Sequence, residues 1–344
     1  MISSQTIINH PTIKNSQPAI GFGVVGCGWV ARDYVIPAIL ESDNARLVAL
    51  CDVDSSSVNS ILTGGQIVVR TADLNEFLAA PGLEAVYIAT PNNSHRFLTE
   101  QAASAGKHVL CEKPMATNIA DAAAMIEICE RRRVVYATAF DQRFQARHLK
   151  IKELIAAGKL GQITAARIHY ACWLPDDWTI NNWRINRETA GGGAFIDLAP
   201  HGIDLLQFLL GEELIDFSAF LQRRVHDYAV DDGAVAIGRF SGGALMTMNV
   251  AYNCPDNFSR RTLEIIGTKA NIVAVNTMGQ TAGGNLFLTE SDGETREISI
   301  AAADDVSPFR RQIETFSRCL LGGQPFPFSP AGDLATMRIL LSVV

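Results

Sequence analysis

"GFGVVGCGWVARDY", residues 21–34, leads an apolar, strand-like run into a helical pattern through Gly26-x-Gly28-x-x-Ala31. In a strand, turn and helix, Gly26 permits the tight turn, Gly28 lets the backbone approach a pyrophosphate, and small Ala31 lets the helix pack closely on the strand. Trp29 and Val30 then fall in the first helical turn, where unpaired N–H groups face an anion. A glycine turn alone also serves plain chain reversal. The following strand separates the two readings. It ends in "ALCDVD", with Asp52 placed 21 residues after Ala31, where a carboxylate accepts hydrogen bonds from an adenosine ribose. The bland alternative for Asp52 is an Asx turn closing a strand. An acid there repels a 2′-phosphate, and Val53 and Asp54 supply no cation in its place, so NAD is expected ahead of NADP.

Outward from this unit, short apolar runs alternate with helical patterns up to about residue 140: 20–25, 46–51, 67–69, 85–89, 108–111 and 134–138. That alternation predicts βαβ units in a doubly wound parallel sheet. After "FDQRF" (140–144) come a helix, a strand, a loop carrying Trp173, Trp178 and Trp183, a glycine-rich turn and another helix. Strand-like segments joined by turns such as "SGG" and "AGG" follow, predicting an α+β domain with an open, mainly antiparallel sheet. The expected division is a flexible tail over 1–19, a dinucleotide-binding domain over 20–142, and a substrate-binding and oligomerisation domain over 143–344.

Two further clusters carry chemistry. "ATPNNSH" puts Thr90, Asn92 and His95 just beyond the fourth strand, and "CEKP" puts Glu112 and Lys113 just beyond the fifth. Both loops open on the crevice at the carboxyl ends of the strands, where ligands of such sheets bind. A surface lysine before a turn proline is the plainer reading of Lys113. In "GGGAFIDLAPHGIDLL", Asp197, His201 and Asp204 fall on one side of a helix. Pro200 fits a first turn, which would place Asp197 at or near the N-cap. A capping Asp beside a histidine is the bland reading. The sharper one is a histidine suited to proton transfer near neutral pH, oriented by a carboxylate one turn away. A metal is not expected, because the chain has no H-E-x-x-H, no clustered cysteines and no second histidine at ligand spacing.

The bulk numbers narrow the class. A net charge of −7 offers no basic footprint for nucleic acid, and "ERRR" (130–133) reads as a helix C-terminus favoured by its dipole. Seven scattered cysteines suit a reducing compartment, hence the cytoplasm. No run is long enough to span a bilayer, and the first 19 residues lack the form of a signal peptide.

In order, "GCGWVA", "CDVD", "ATPNNSH", "CEKP", "NWR", "GGGAFIDLAPHGIDLL" and "EIIGTKANI" resemble the Gfo/Idh/MocA family of NAD(P)-dependent oxidoreductases over nearly everything after residue 19. The resemblance implies Lys113 as active-site lysine, His201 as acid/base and Asp197 as the acid beside it. It implies cofactor contacts at Gly26, Gly28, Asp52, Thr90, Asn92, His95, Glu112 and the Trp183–Arg184 pair, and a cis Lys113–Pro114 bond. It also implies a sugar, sugar derivative or cyclic polyol as substrate, and a homodimer or homotetramer. The chain departs in its longer N-terminal tail and in an end, "MRILLSVV", that falls short of the family's closing helix. Two other readings stay open: a non-catalytic dinucleotide-binding sensor of the same fold, and a reductase of an extended conjugated ligand, whose class often lacks the lysine and histidine.

Overall fold

The structure, a computed structural model, describes residues 18–66, 68–178 and 182–343. Residues 1–17 of the expected tail, Ile67 of the expected third strand and residues 179–181 of the tryptophan loop lie outside these. Among the described residues, β1 (Ile20–Val25), β2 (Ala45–Cys51), β3 (Val69–Thr71), β4 (Ala85–Ile88), β5 (His108–Glu112) and β6 (Tyr136–Ala139) form one parallel sheet, ordered β3-β2-β1-β4-β5-β6. Helices cover both faces, so β1 and β4 are buried along their whole length, as their uninterrupted apolar sequences require. The order reverses between β1 and β4, which opens a crevice at their carboxyl ends.

The second sheet holds β7 (Ile163–Ala171), β8 (Leu214–Gln222), β9 (Gly233–Phe240), β10 (Leu245–Ala251), β11 (Arg261–Gly267), β12 (Ala270–Val275), β13 (Asn285–Glu290) and β14 (Thr295–Glu297), ordered β14-β13-β12-β11-β7-β10-β9-β8. Its neighbours are antiparallel except β7 and β10. Ile168, Met246, Met248 and Val250 alternate inward and share one buried core with Leu198, Leu205 and Leu206 of the helix Ala194–Leu210, which packs on β7 and β10. The other face is open. Phe220 is 80% exposed there, facing Val235 in register, with Ile237 and Leu245 also exposed beside them.

One expectation is corrected. Asp197 does not cap its helix: the helix begins at Ala194, three residues earlier, because the Asp231 carboxylate accepts from the backbone N–H groups of Gly193 and Phe195 at 2.9 and 2.8 Å. Pro200 therefore sits inside the helix. Part of the span 143–344 also packs on the first sheet. The helix Pro308–Gly322 carries Phe309, Ile313 and Phe316 on one apolar stripe, and these side chains enter the core around Phe22 of β1. Tyr34 stacks on Phe309 at 5.6 Å, and the Asn44 amide donates to the Glu314 carbonyl at 2.9 Å. The end of the chain thus closes over the first sheet. No helix among the described residues is long and apolar enough to cross a membrane.

Candidate active site

The glycine turn after β1 is held from β2. Asp52 Oδ2 accepts from the Cys27 N–H at 2.7 Å, while its Oδ1 accepts from the Asp54 N–H at 2.9 Å, closing an Asx turn. The Asx-turn reading of Asp52 is thus seen directly, and since a carboxylate offers about four acceptor sites it retains capacity for a ligand. Gly26 has φ +87°, and a Cβ there would lie 2.6 Å from the Ala89 carbonyl oxygen. A Cβ on Gly28 would instead meet nothing within 4 Å among the described residues. Open space over a glycine, beside the N–H groups that begin a helix, is a cradle for phosphate oxygens, so these residues fit a dinucleotide. Ala31 is buried in the core, as its packing role requires.

The cleft beside this turn brings together Gly28, Trp29 and Val30 after β1, Thr90 and Asn92 after β4, Glu112 and Lys113 at the end of β5, and Trp183, Arg184 and Asp197 from the second domain. The Lys113–Pro114 bond is cis. The Arg184 guanidinium lies 4.4 Å from the Trp183 ring centroid and 5.4 Å from that of Trp178, which meets Trp29 edge-on at 5.5 Å. Trp29, Trp183 and Arg184 wall the cleft, and Trp178 packs against them. The Asn92 amide donates to the Ala190 carbonyl at 2.8 Å, which ties the loop after β4 to the second domain.

His95 does not reach the cleft. It has no exposed surface, and its ring nitrogens lie 3.1 Å from the Pro114 and 3.0 Å from the Thr90 carbonyl oxygens. It locks the two loops together rather than touching a ligand, and burial lowers its pKa.

Lys113 Nζ donates to Asp197 Oδ1 at 2.8 Å and to the Asp197 carbonyl at 2.9 Å, and the Tyr252 hydroxyl donates to Asp197 Oδ2 at 2.7 Å. Burial alone would raise the Asp197 carboxyl, but the charges of Lys113 and Arg184 and these hydrogen bonds outweigh it and hold Asp197 well below the carboxylate range. The expected pairing of Asp197 with His201 is thus replaced: a full cation and a phenol draw the carboxylate away from a neutral imidazole one turn along. His201 lies deeper, 5% exposed, its ring edge-on to Tyr170 at 5.5 Å. Burial and then the charge of Lys113 push it well below the usual histidine range, although Asp197 pulls upward. Its carboxylate neighbour is Asp141, with Oδ1 3.4 Å from His201 Nδ1.

Glu112 accepts from the Tyr87 hydroxyl at 2.7 Å and is raised by burial. Asp204 belongs elsewhere: together with Asp333 it pairs with Arg143 in the interior. Among the described residues, no group of three or more His, Cys, Asp or Glu is placed to hold a metal ion. Sequence reasoning missed Asp141, Tyr252 and Asp231. Asp141 had a usable signal, because it follows β6 at the same carboxyl edge as the other site loops. Tyr252 and Asp231 had none, since their partners are fixed only by packing of the second sheet.

Residues 20–140 match the oxidoreductase-family model described as an NAD-binding Rossmann fold, and residues 148–273 match that of the GFO/IDH/MocA C-terminal domain. The chain is 30% identical to a 1,5-anhydro-D-fructose reductase of Ensifer adhaerens, over 88% of this chain and 89% of the relative. It is 26% identical to a myo-inositol 2-dehydrogenase of Thermotoga maritima, over 93% of each. Among solved structures it is similar to an aldose-aldose oxidoreductase from Caulobacter crescentus complexed with glycerol, with a TM-score of 0.82 and 26% identity over 94% of this chain and 95% of that one.

Proposed function

Because the chain belongs to the Gfo/Idh/MocA family of oxidoreductases, we propose that its cleft oxidises a secondary alcohol of a sugar, sugar derivative or cyclic polyol, or reduces the matching carbonyl, with NAD as partner. The observation that carries this reading is the convergence of Lys113, from the nucleotide-binding domain, and Asp197, from the second domain, at 2.8 Å on the wall of the cleft beside the glycine turn. Bound NAD supplies the nicotinamide that takes up or returns the hydride. The chain's own residues do the rest. Lys113 hydrogen-bonds the reacting oxygen and stabilises its developing negative charge. Asp197 orients Lys113, and His201, neutral at rest, accepts the hydroxyl proton. The tryptophans and Arg184 hold the reactants in place and exclude water. Sugar-like chemistry is supported by relatives named for anhydrofructose, inositol and aldoses. The test is a panel of aldoses, inositols and anhydro sugars with NAD, and of their ketones with NADH, followed by nicotinamide absorbance. Turnover of at least one member is expected. Tight NADH binding with no turnover in either direction counts for the sensor reading.

Asp52 makes NADH the expected ligand over NADPH, by about tenfold or more in Kd, because a carboxylate beside the ribose repels a 2′-phosphate. Since Asp52 also holds the Cys27 N–H, Asp52→Ala should weaken both cofactors and narrow their ratio. Titration by fluorescence decides it. Tighter NADPH binding by the wild type contradicts this preference, and an unchanged ratio in the variant leaves Asp52 only its turn-holding role.

A homodimer or homotetramer is proposed, with the open face of the second sheet as the contact, because Phe220, Val235, Ile237 and Leu245 leave a contiguous apolar patch in water. Light scattering during gel filtration should show the assembly at micromolar concentration, and Phe220→Glu should shift it toward monomer. A monomeric wild type rules out this contact.

A further inference from the structure

We propose that Asp141 is the carboxylate that positions His201 for proton transfer, the part expected of Asp197. This rests on His201 being the base. Three observations support it. First, His201 Nδ1 is buried and without a hydrogen-bond partner among the described residues, and Asp141 Oδ1 lies 3.4 Å from it, close but not aligned as a hydrogen bond. That is a long contact, of the kind that tightens when reactants bind. Second, Asp141 is itself held in place. Its Oδ2 accepts from the Gln142 amide at 2.8 Å, and that amide also donates to the Gly279 carbonyl at 3.2 Å, which leaves Oδ1 as the oxygen recorded near the imidazole. Third, both Asp197 oxygens already hold donors, Lys113 on Oδ1 and Tyr252 on Oδ2.

An ionised Asp141 accepts the Nδ1–H of neutral His201, which fixes the tautomer whose Nε2 carries a lone pair. The substrate hydroxyl proton then moves to Nε2 as the C–H electron pair leaves as hydride, and the resulting imidazolium is stabilised by the adjacent carboxylate until the proton passes to solvent. A protonated Asp141 would donate to Nδ1 instead, leaving Nε2–H, a form that can give a proton to a carbonyl oxygen but cannot take one.

The groups facing this pair set where the change occurs. Burial and then the Glu112 charge push Asp141 up to about 7, against the pull of Lys113. On the histidine side, burial, Lys113 and Arg261 disfavour the imidazolium, and Asp197 favours it. Alcohol oxidation should therefore rise with pH through about 7, and carbonyl reduction should fall over the same range.

The test uses the full chain with bound NAD. ¹⁵N-histidine NMR at pH 8 reads the His201 tautomer directly, with its signal assigned by loss in His201→Ala. Nδ1–H is expected, and Nε2–H overturns the proposal. Independently, Asp141→Asn, whose amide can donate to Nδ1 and enforce the wrong tautomer, should lower kcat on the order of a hundredfold and remove the limb near pH 7, with NADH affinity unchanged. Asp141→Glu should restore part of the rate. An unchanged kcat and pH profile in Asp141→Asn overturns the positioning role while leaving the proposed function intact. If that variant does not fold, the wild-type tautomer alone decides. Unchanged kcat in His201→Ala is a different failure, because it removes the base on which both readings rest.

Discussion

His201→Ala and Lys113→Ala are each expected to lower kcat by about 10² to 10⁴, the range for loss of a positioned proton-transfer group or oxyanion donor. The two losses have different physical origins. His201 is neutral and buried, so its removal takes away a proton acceptor and leaves every ion pair in the cleft intact. NADH affinity and folding should survive. Removing Lys113 deprives Asp197 of its closest cation and leaves a half-buried carboxylate with the Tyr252 hydroxyl and with Arg184 at 3.9 Å. Some loss of stability should accompany the loss of rate. Lys113→Arg is a sharper probe, since it keeps the charge but changes the reach and geometry of the donor. It should preserve stability and still lower kcat at least about tenfold. The double variant should lose little more than the worse single one, because groups that act together on one proton and one oxygen are not additive. Steady-state kinetics with melting curves on the same samples separate these effects. Full activity in either alanine variant, with normal folding, removes that residue from the mechanism.

Much of this arrangement was legible in the amino-acid sequence, and the reasons differ by element. Five of the six strands of the first sheet were readable because strands buried on both faces are largely apolar, whereas β3, partly exposed and carrying Arg70, shares only Val69 with the expected 67–69; Gly26 was readable because its φ of +87° excludes a side chain. Lys113 was readable as a site residue because a parallel strand ends at the crevice. What the spacing did not carry was the partner of each charged group. Asp197 and His201 are one turn apart, which places them on one helix face, but whether they meet depends on cations and phenols brought in by β5 and β10. The start of the same helix was misread for a similar cause: its cap, Asp231, lies in the loop before β9, far along the chain. The return of Phe309, Ile313 and Phe316 to the first domain was visible as an amphipathic stripe. The stripe does not say which core it joins.

Arg143→Met is expected to destabilise the protein by about 3–5 kcal/mol, the cost of leaving a buried charge without its partner. Arg143 follows β6, Asp204 lies on the helix Ala194–Leu210, and Asp333 on the helix Pro330–Leu341, so one guanidinium joins the segment after the first sheet to both helices. It lies 4.7 and 4.4 Å from the ring centroids of Phe140 and Phe328, and methionine would keep much of that packing while removing the charge. The two carboxylates would then face each other in an interior that neither can leave. Burial already outweighs the pull of Arg143 and lifts Asp204 up to about 6. Without the cation it rises further. A carboxyl whose folded pKa lies above its unfolded value favours folding at low pH and loses that contribution as pH rises through the folded value. The deficit of Arg143→Met relative to wild type should therefore be smaller near pH 5 than near pH 8. The denaturant midpoints of both proteins at the two pH values measure this. A deficit under about 1 kcal/mol at pH 8 would mean the cluster is dispensable for stability. A deficit that does not change with pH would mean that the packing between Phe140 and Phe328, rather than the charge, is what Arg143 contributes.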